Sequence, residues 1–112
     1  MRPPPLPERR KEERYLAPGM VVHCDGEACA VIDVSRSAVR FVRSQGLMLG
    51  CDRHDLVLEF PRAGGVVRYP VEGRIIRFTQ LCVVMGYDPP AADWEQQIKA
   101  LDTAELTALT DF

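Results

Sequence analysis

Between Pro18 and about Tyr87 the chain alternates short apolar runs rich in Val, Ile and Phe with turn signals, at Asp25-Gly26, Ser44-Gln45-Gly46 and Ala63-Gly64-Gly65. The pattern predicts six strands: Met20 to Cys24, Ala28 to Ser35, Val39 to Arg43, Leu56 to Phe60, Val66 to Phe78 with a bulge near Gly73, and Leu81 to Tyr87. Six strands in about 70 residues make a small closed antiparallel barrel, not an alternating α/β fold. In the second strand a period of two puts Ala28, Ala30, Ile32 and Val34 toward the core, with Asp33 and Ser35 together on the outer face.

Past Tyr87 the period changes. Asp88 offers a cap before Pro89-Pro90, and Trp94, Ile98 and Leu101 recur at i, i+4 and i+7, which predicts a helix whose apolar stripe packs on the barrel. Asp102 with Glu105 has capping-box spacing for a further short helix ending near Leu109. The opening segment MRPPPLPE is half proline and reads as an extended arm. The expected organisation is therefore an arm over 1–14 and an all-β domain with a C-terminal α-helix over 15–112.

Composition narrows the function. At 112 residues and 46% hydrophobic the chain supports a single core. Its net charge of −2 gives no overall field for nucleic acid or anionic lipid, so any anion site must be local. The arm is the exception: residues 1–14 carry a net +2 against −4 for the remainder. There is no apolar run of membrane-spanning length and no secretory h-region, so a cytoplasmic location and no membrane insertion are expected, with Cys24, Cys29, Cys51 and Cys82 as free thiols.

Two segments carry candidate chemistry. Arg10 and Arg14, with Arg9 beside them, stand four apart just before the first strand. A guanidinium fork donates paired hydrogen bonds to a phosphodiester, and its plane stacks on a purine. Asp33-Val34-Ser35-Arg36-Ser37-Ala38 follows nineteen residues after Arg14. Its carboxylate can accept from the N1 and N2 donors of guanine, and its hydroxyl can bond a phosphate or a base. Taken alone, the first segment reads rather as a solvated charged arm and the second as a capped turn.

Together, in this order and with strand-turn-strand between them, the segments resemble the PilZ family. That family shows Arg-x-x-x-Arg before the barrel and Asp/Asn-x-Ser-x-x-Gly at the end of an early strand. The resemblance covers residues 9 to 101 and includes the strand Val71 to Phe78. It implies a six-stranded PilZ-type barrel acting as a receptor for cyclic di-GMP. Arg10 and Arg14 would hold phosphates and stack on guanine with Arg9 assisting, Asp33 and Ser35 would read the base, and the arm would close over the barrel on binding. It also implies an unidentified downstream protein as the output. Ala38 stands where the family pattern has Gly. A positive φ there would cost alanine about 1–2 kcal/mol, and an ordinary backbone almost none.

Three rivals are weaker. A zinc site could draw on His23, Cys24, Cys29, Cys51 and His54, but Cys24 and Cys29 sit in strands where thiols pack well and Cys-x-x-Cys knuckles are missing, so no metal is expected. A single-stranded nucleic-acid surface through Arg40, Arg43, Arg68, Arg74 and Arg77 lacks interleaved aromatics, so DNA and RNA are not expected partners. A degenerate PilZ module working only through protein contacts is the third. No nucleophile motif, P-loop or placed carboxylate pair supports catalysis, and no enzyme is expected.

Overall fold

The computed structural model describes residues 13–101. Seven strands run through them: β1 (Tyr15–Leu16), β2 (Val21–Cys24), β3 (Glu27–Val34), β4 (Ala38–Val42), β5 (Arg53–Arg62), β6 (Gly65–Phe78) and β7 (Cys82–Gly86). All pairs are antiparallel, in the order β1-β3-β2-β5-β6-β7-β4, and β4 returns to pair with β3. Strands β2 to β7 thus close a six-stranded barrel, the predicted architecture. The two-residue β1, too short to register as an apolar period, adds a rung to β3 beyond the end of β2, with Tyr15 opposite Val34 and Leu16 opposite Asp33. Expectations for Arg9, Arg10 and the short helix from Asp102 lie outside the described residues.

Alternation builds the core. In β2 Val22 and Cys24 point in, in β5 His54, Leu56, Leu58 and Phe60, and in β4 Val39 and Phe41. The Asp25-Gly26 turn joins β2 to β3 with φ of 50° and 88° at its two residues, the left-handed pair a two-residue hairpin requires.

Strand β3 corrects the predicted facing. Ala28 and Ala30 are exposed and Cys29 is buried, because Cys29 pairs directly with the core residue Val22. The ladder to β4 then shifts register: Val31 pairs with Phe41 but Asp33 with Arg40, leaving Ile32 as an extra, bulged residue. The bulge reverses the parity, so Val34 points in and Asp33 out as expected, whereas Ile32 is only half-buried. Strict alternation has no means of anticipating the inserted residue.

The bulge expected near Gly73 falls instead between Ile75 and Arg77. Gly73 has a different reason to be glycine: a Cβ there would lie 2.5 Å from Leu56 Cδ1 and 3.0 Å from Met85 Sδ. Helix α1 covers 94–101 of the described residues and begins later than the prolines predicted. Asp93, not Asp88, caps it: the Asp93 carbonyl accepts from Gln97 N at 3.1 Å, and Asp88 is almost fully exposed beside Arg74. The predicted stripe Trp94, Ile98 and Leu101 is buried.

Trp94 joins helix to barrel. Its ring stacks on Phe60 at 4.9 Å and meets Tyr69 and Tyr87 edge-on, and Tyr69 Oη donates to Gln97 Oε1 at 2.9 Å. Its Nε1–H donates to Tyr87 Oη at 2.7 Å, and Tyr87 Oη donates to the carbonyl of Ser35 at 2.6 Å. The helix thereby holds the end of β3 through two buried hydrogen bonds.

Candidate functional site

The bulge at Ile32 aims Asp33 outward, and the register of β4 sets Arg40 opposite it. Arg40 Nη2 donates to Asp33 Oδ2 at 2.6 Å, and Arg14 Nη1 lies 3.8 Å from Asp33 Oδ1. Strand β1 makes the second contact possible. Tyr15 is buried in the core opposite Val34, so its neighbour Arg14 faces outward beside the end of β3. Burial, followed by the hydrogen bond the phenol donates to Glu13, pushes the Tyr15 phenol up to about 12, which keeps that anchor uncharged.

Asp33 lies next to the end of β3 and Ser35 directly follows the strand, but, contrary to expectation, neither is openly displayed. The Asp33 side chain keeps 12% of its surface under the two guanidiniums, and Ser35 is buried. Ser35 N–H donates to the Ala38 carbonyl at 2.7 Å, and its hydroxyl reaches the same oxygen at 3.4 Å. These bonds close a two-residue turn, Arg36-Ser37, further secured by Tyr87 N–H donating to the Ser37 carbonyl at 2.9 Å.

Ala38 opens β4 opposite Gly86. Asp25 is the one non-glycine with positive φ among the described residues, so Ala38 has an ordinary backbone and carries no left-handed strain. Beside the Arg36-Ser37 turn an open groove of about 520 Å³ is lined by Arg36, Pro89, Pro90, Trp94 and Glu95 among others, within the size range of small-molecule sites.

The structure therefore brings Arg14, Asp33, Ser35 and Ala38 to one end of the β3–β4 hairpin. Sequence reasoning missed Arg40, which it had set among scattered strand arginines. The signal was present: with Ser35 and Ala38 closing a two-residue loop, counting back along both strands and allowing one bulged residue places Arg40 near Asp33.

Of the residues weighed for zinc, His23 is engaged elsewhere, its Nε2 3.1 Å from Glu59 Oε1. Cys24 and Cys29 are buried free thiols, and burial pushes the Cys24 thiol up to about 12. No helix among the described residues is long and apolar enough to cross a membrane.

Neither a family model nor a curated protein sequence matches the chain. Solved structures do share its fold. The Bacillus subtilis inhibitor of motility MotI/DgrA aligns over 90% of this chain and 52% of its own, with a TM-score of 0.65 and 16% identity. An uncharacterised Legionella protein aligns over 88% of this chain and 95% of its own, with a TM-score of 0.54 and 14% identity. The chain thus spans about half the length of the Bacillus protein. At these identities the likeness is one of fold.

Proposed function

We propose that this chain is a non-enzymatic, cytoplasmic receptor for cyclic di-GMP, with its site at the β1 edge of the β3–β4 hairpin. The observation that carries the reading is the approach of Arg14 to Asp33 at 3.8 Å. The second arginine of Arg-x-x-x-Arg and the acid of Asp-x-Ser, nineteen residues apart in sequence, meet on the outer wall through the pairing of β1 with β3.

In this reading Arg14, with Arg10 and Arg9 from the preceding residues, binds the phosphodiesters by charge-assisted hydrogen bonds and stacks on a guanine face. Asp33 accepts from the guanine N1 and N2 donors. A carboxylate has about four acceptor positions, so Arg40 can stay on Oδ2 while the base edge replaces the longer contact of Oδ1 with Arg14. Ser35 and the turn it closes hold Asp33 in place, and the ordinary backbone of Ala38 is consistent with alanine at that position without left-handed strain. The output is a contact with a downstream protein, and the fold neighbour named as an inhibitor of motility makes motility the first process to examine.

One observation favours a second reading, a module that meets a protein partner without nucleotide: Val42, Ile76, Phe78 and Leu81 are large apolar side chains exposed by 47–79%. Isothermal titration with cyclic di-GMP separates the two. The receptor reading expects micromolar or tighter binding, weakened at least tenfold in Asp33→Ala. Absence of heat at saturating ligand in the folded wild-type chain contradicts it and favours the partner module.

A further inference from the structure

At the opposite end of β3, about 20 Å from Asp33 along the strand at roughly 3.3 Å per residue, three metal-binding side chains of different chemistry converge. Cys24 ends β2, Asp25 is the first turn residue after it, and His54 is the second residue of β5, which pairs with β2. The Cys24 thiol, an Asp25 carboxylate oxygen and a His54 ring nitrogen all lie within 4.8 Å of one another.

The hydrogen bonds around His54 define what belongs between them. Its Nε2 is 2.9 Å from the Cys51 carbonyl oxygen, an acceptor for an Nε2–H. Its Nδ1, on the other side of the ring, faces Asp25 Oδ2 at 2.5 Å. Cys24 Sγ completes the triangle, so a thiol, a carboxylate oxygen and an imidazole nitrogen face one small space at the β2–β3 turn. The arrangement matches a metal-bound imidazole, whose far N–H characteristically donates to a carbonyl or carboxylate that fixes tautomer and ring orientation.

Asp25 is equally constrained. Its Oδ1 accepts from the Asp55 N–H at 3.1 Å, and its own N–H donates to the Asp55 carbonyl at 3.0 Å, leaving Oδ2 directed at the imidazole. Cys24 is fully buried and His54 nearly so, while the Asp25 side chain is 44% exposed and forms the entrance.

We propose that Cys24 Sγ, Asp25 Oδ2 and His54 Nδ1 form a Zn²⁺ site, with water completing the tetrahedron. One thiolate, one imidazole and one carboxylate suit zinc better than a hard cation such as Mg²⁺ or Ca²⁺, which takes oxygen ligands. Tetrahedral zinc sets such ligand atoms roughly 3.3–3.5 Å apart, a spacing that small side-chain rotations in this cluster supply. Thiolate ligation requires the ion to displace the Cys24 thiol proton, so binding strengthens as pH rises. The site departs from the sequence expectation of no metal, because Asp25, a turn residue on sequence grounds, takes the place of His23, Cys29 and Cys51. It is independent of the nucleotide reading.

Competition for Zn²⁺ against a chromophoric chelator, with the full chain, tests it. The expected result is one ion per chain, with affinity reduced at least tenfold in Asp25→Asn and in His54→Gln and unchanged in Cys82→Ser. Asparagine tolerates the positive φ at position 25, so Asp25→Asn keeps the fold; its thermal melt checks this. With Co²⁺ in place of Zn²⁺, a thiolate-to-cobalt charge-transfer band is expected in the wild type and not in Cys24→Ser. A folded wild-type chain that takes up less than stoichiometric zinc, or folded variants that bind it as tightly as the wild type, would overturn the proposal.

Discussion

Arg40 Nη2 holds Asp33 Oδ2 at 2.6 Å across the β3–β4 ladder, and this pair fixes a largely buried carboxylate on the outer wall of the barrel. Truncating Arg40 removes the shorter of the two guanidinium contacts to that acid. Arg40→Ala is therefore expected to destabilise the fold by about 1–3 kcal/mol, read from the midpoint of urea unfolding. A shift within error at unchanged m-value would show that the pair contributes little to stability.

Tyr87 stands between the helix and the site, accepting from Trp94 Nε1 and donating to the Ser35 carbonyl. Tyr87→Phe keeps the ring and deletes the hydroxyl, leaving one buried donor and one buried acceptor without this partner. The expected cost is about 1–3 kcal/mol, with faster exchange of the Ser35 and Tyr87 amides that close the turn as the local signature. Exchange unchanged at those amides would mean the hydroxyl does not hold the turn.

Gly73 tests the packing of the barrel interior. An added methyl would meet Leu56 Cδ1 at 2.5 Å and Met85 Sδ at 3.0 Å, and both side chains are themselves buried in the core. Gly73→Ala is expected to lose about 1–3 kcal/mol through overpacking, measured as a lower thermal midpoint. An equal or higher midpoint would show that the core yields at no cost.

Much of this was legible in the sequence because the signals were local and repeated. The Asp25-Gly26 turn, the inward Phe41 and the Trp94-Ile98-Leu101 stripe each follow from a period or a turn chemistry that a short window contains. The inverted facing of Ala28, Cys29 and Ala30 does not, since it depends on which residue of β2 lies across the ladder and on one inserted residue at Ile32. The site was half-legible for the same reason. Arg14, Asp33 and Ser35 belong to spaced motifs, whereas Arg40 enters through strand pairing, and the convergence of Cys24, Asp25 and His54 requires β5 to lie against β2.

Glu59 gives the fold an acid-sensitive element. Hydrogen bonds from Arg68 and His23 hold its carboxyl below the usual carboxylate range. The unfolded chain therefore binds this proton at a higher pH than the folded one does, so stability rises with pH through that interval. The contribution is present above the ordinary glutamate pKa and is lost as pH falls through the lowered value. Glu59→Gln is expected to flatten the acid limb of a stability-against-pH profile measured by urea unfolding. An acid limb as steep as that of the wild type would remove Glu59 from the account.

The claim on which the functional reading rests is that Arg14 and Asp33 form one surface for a cyclic dinucleotide. Titrating cyclic di-GMP into the isotopically labelled chain and following backbone amides by two-dimensional NMR tests it most directly. The predicted result is saturable shifts concentrated at Arg14, Tyr15, Asp33, Ser35 and Ala38, greatly reduced in Arg14→Ala. Amides at those positions that stay still at saturating ligand would contradict it.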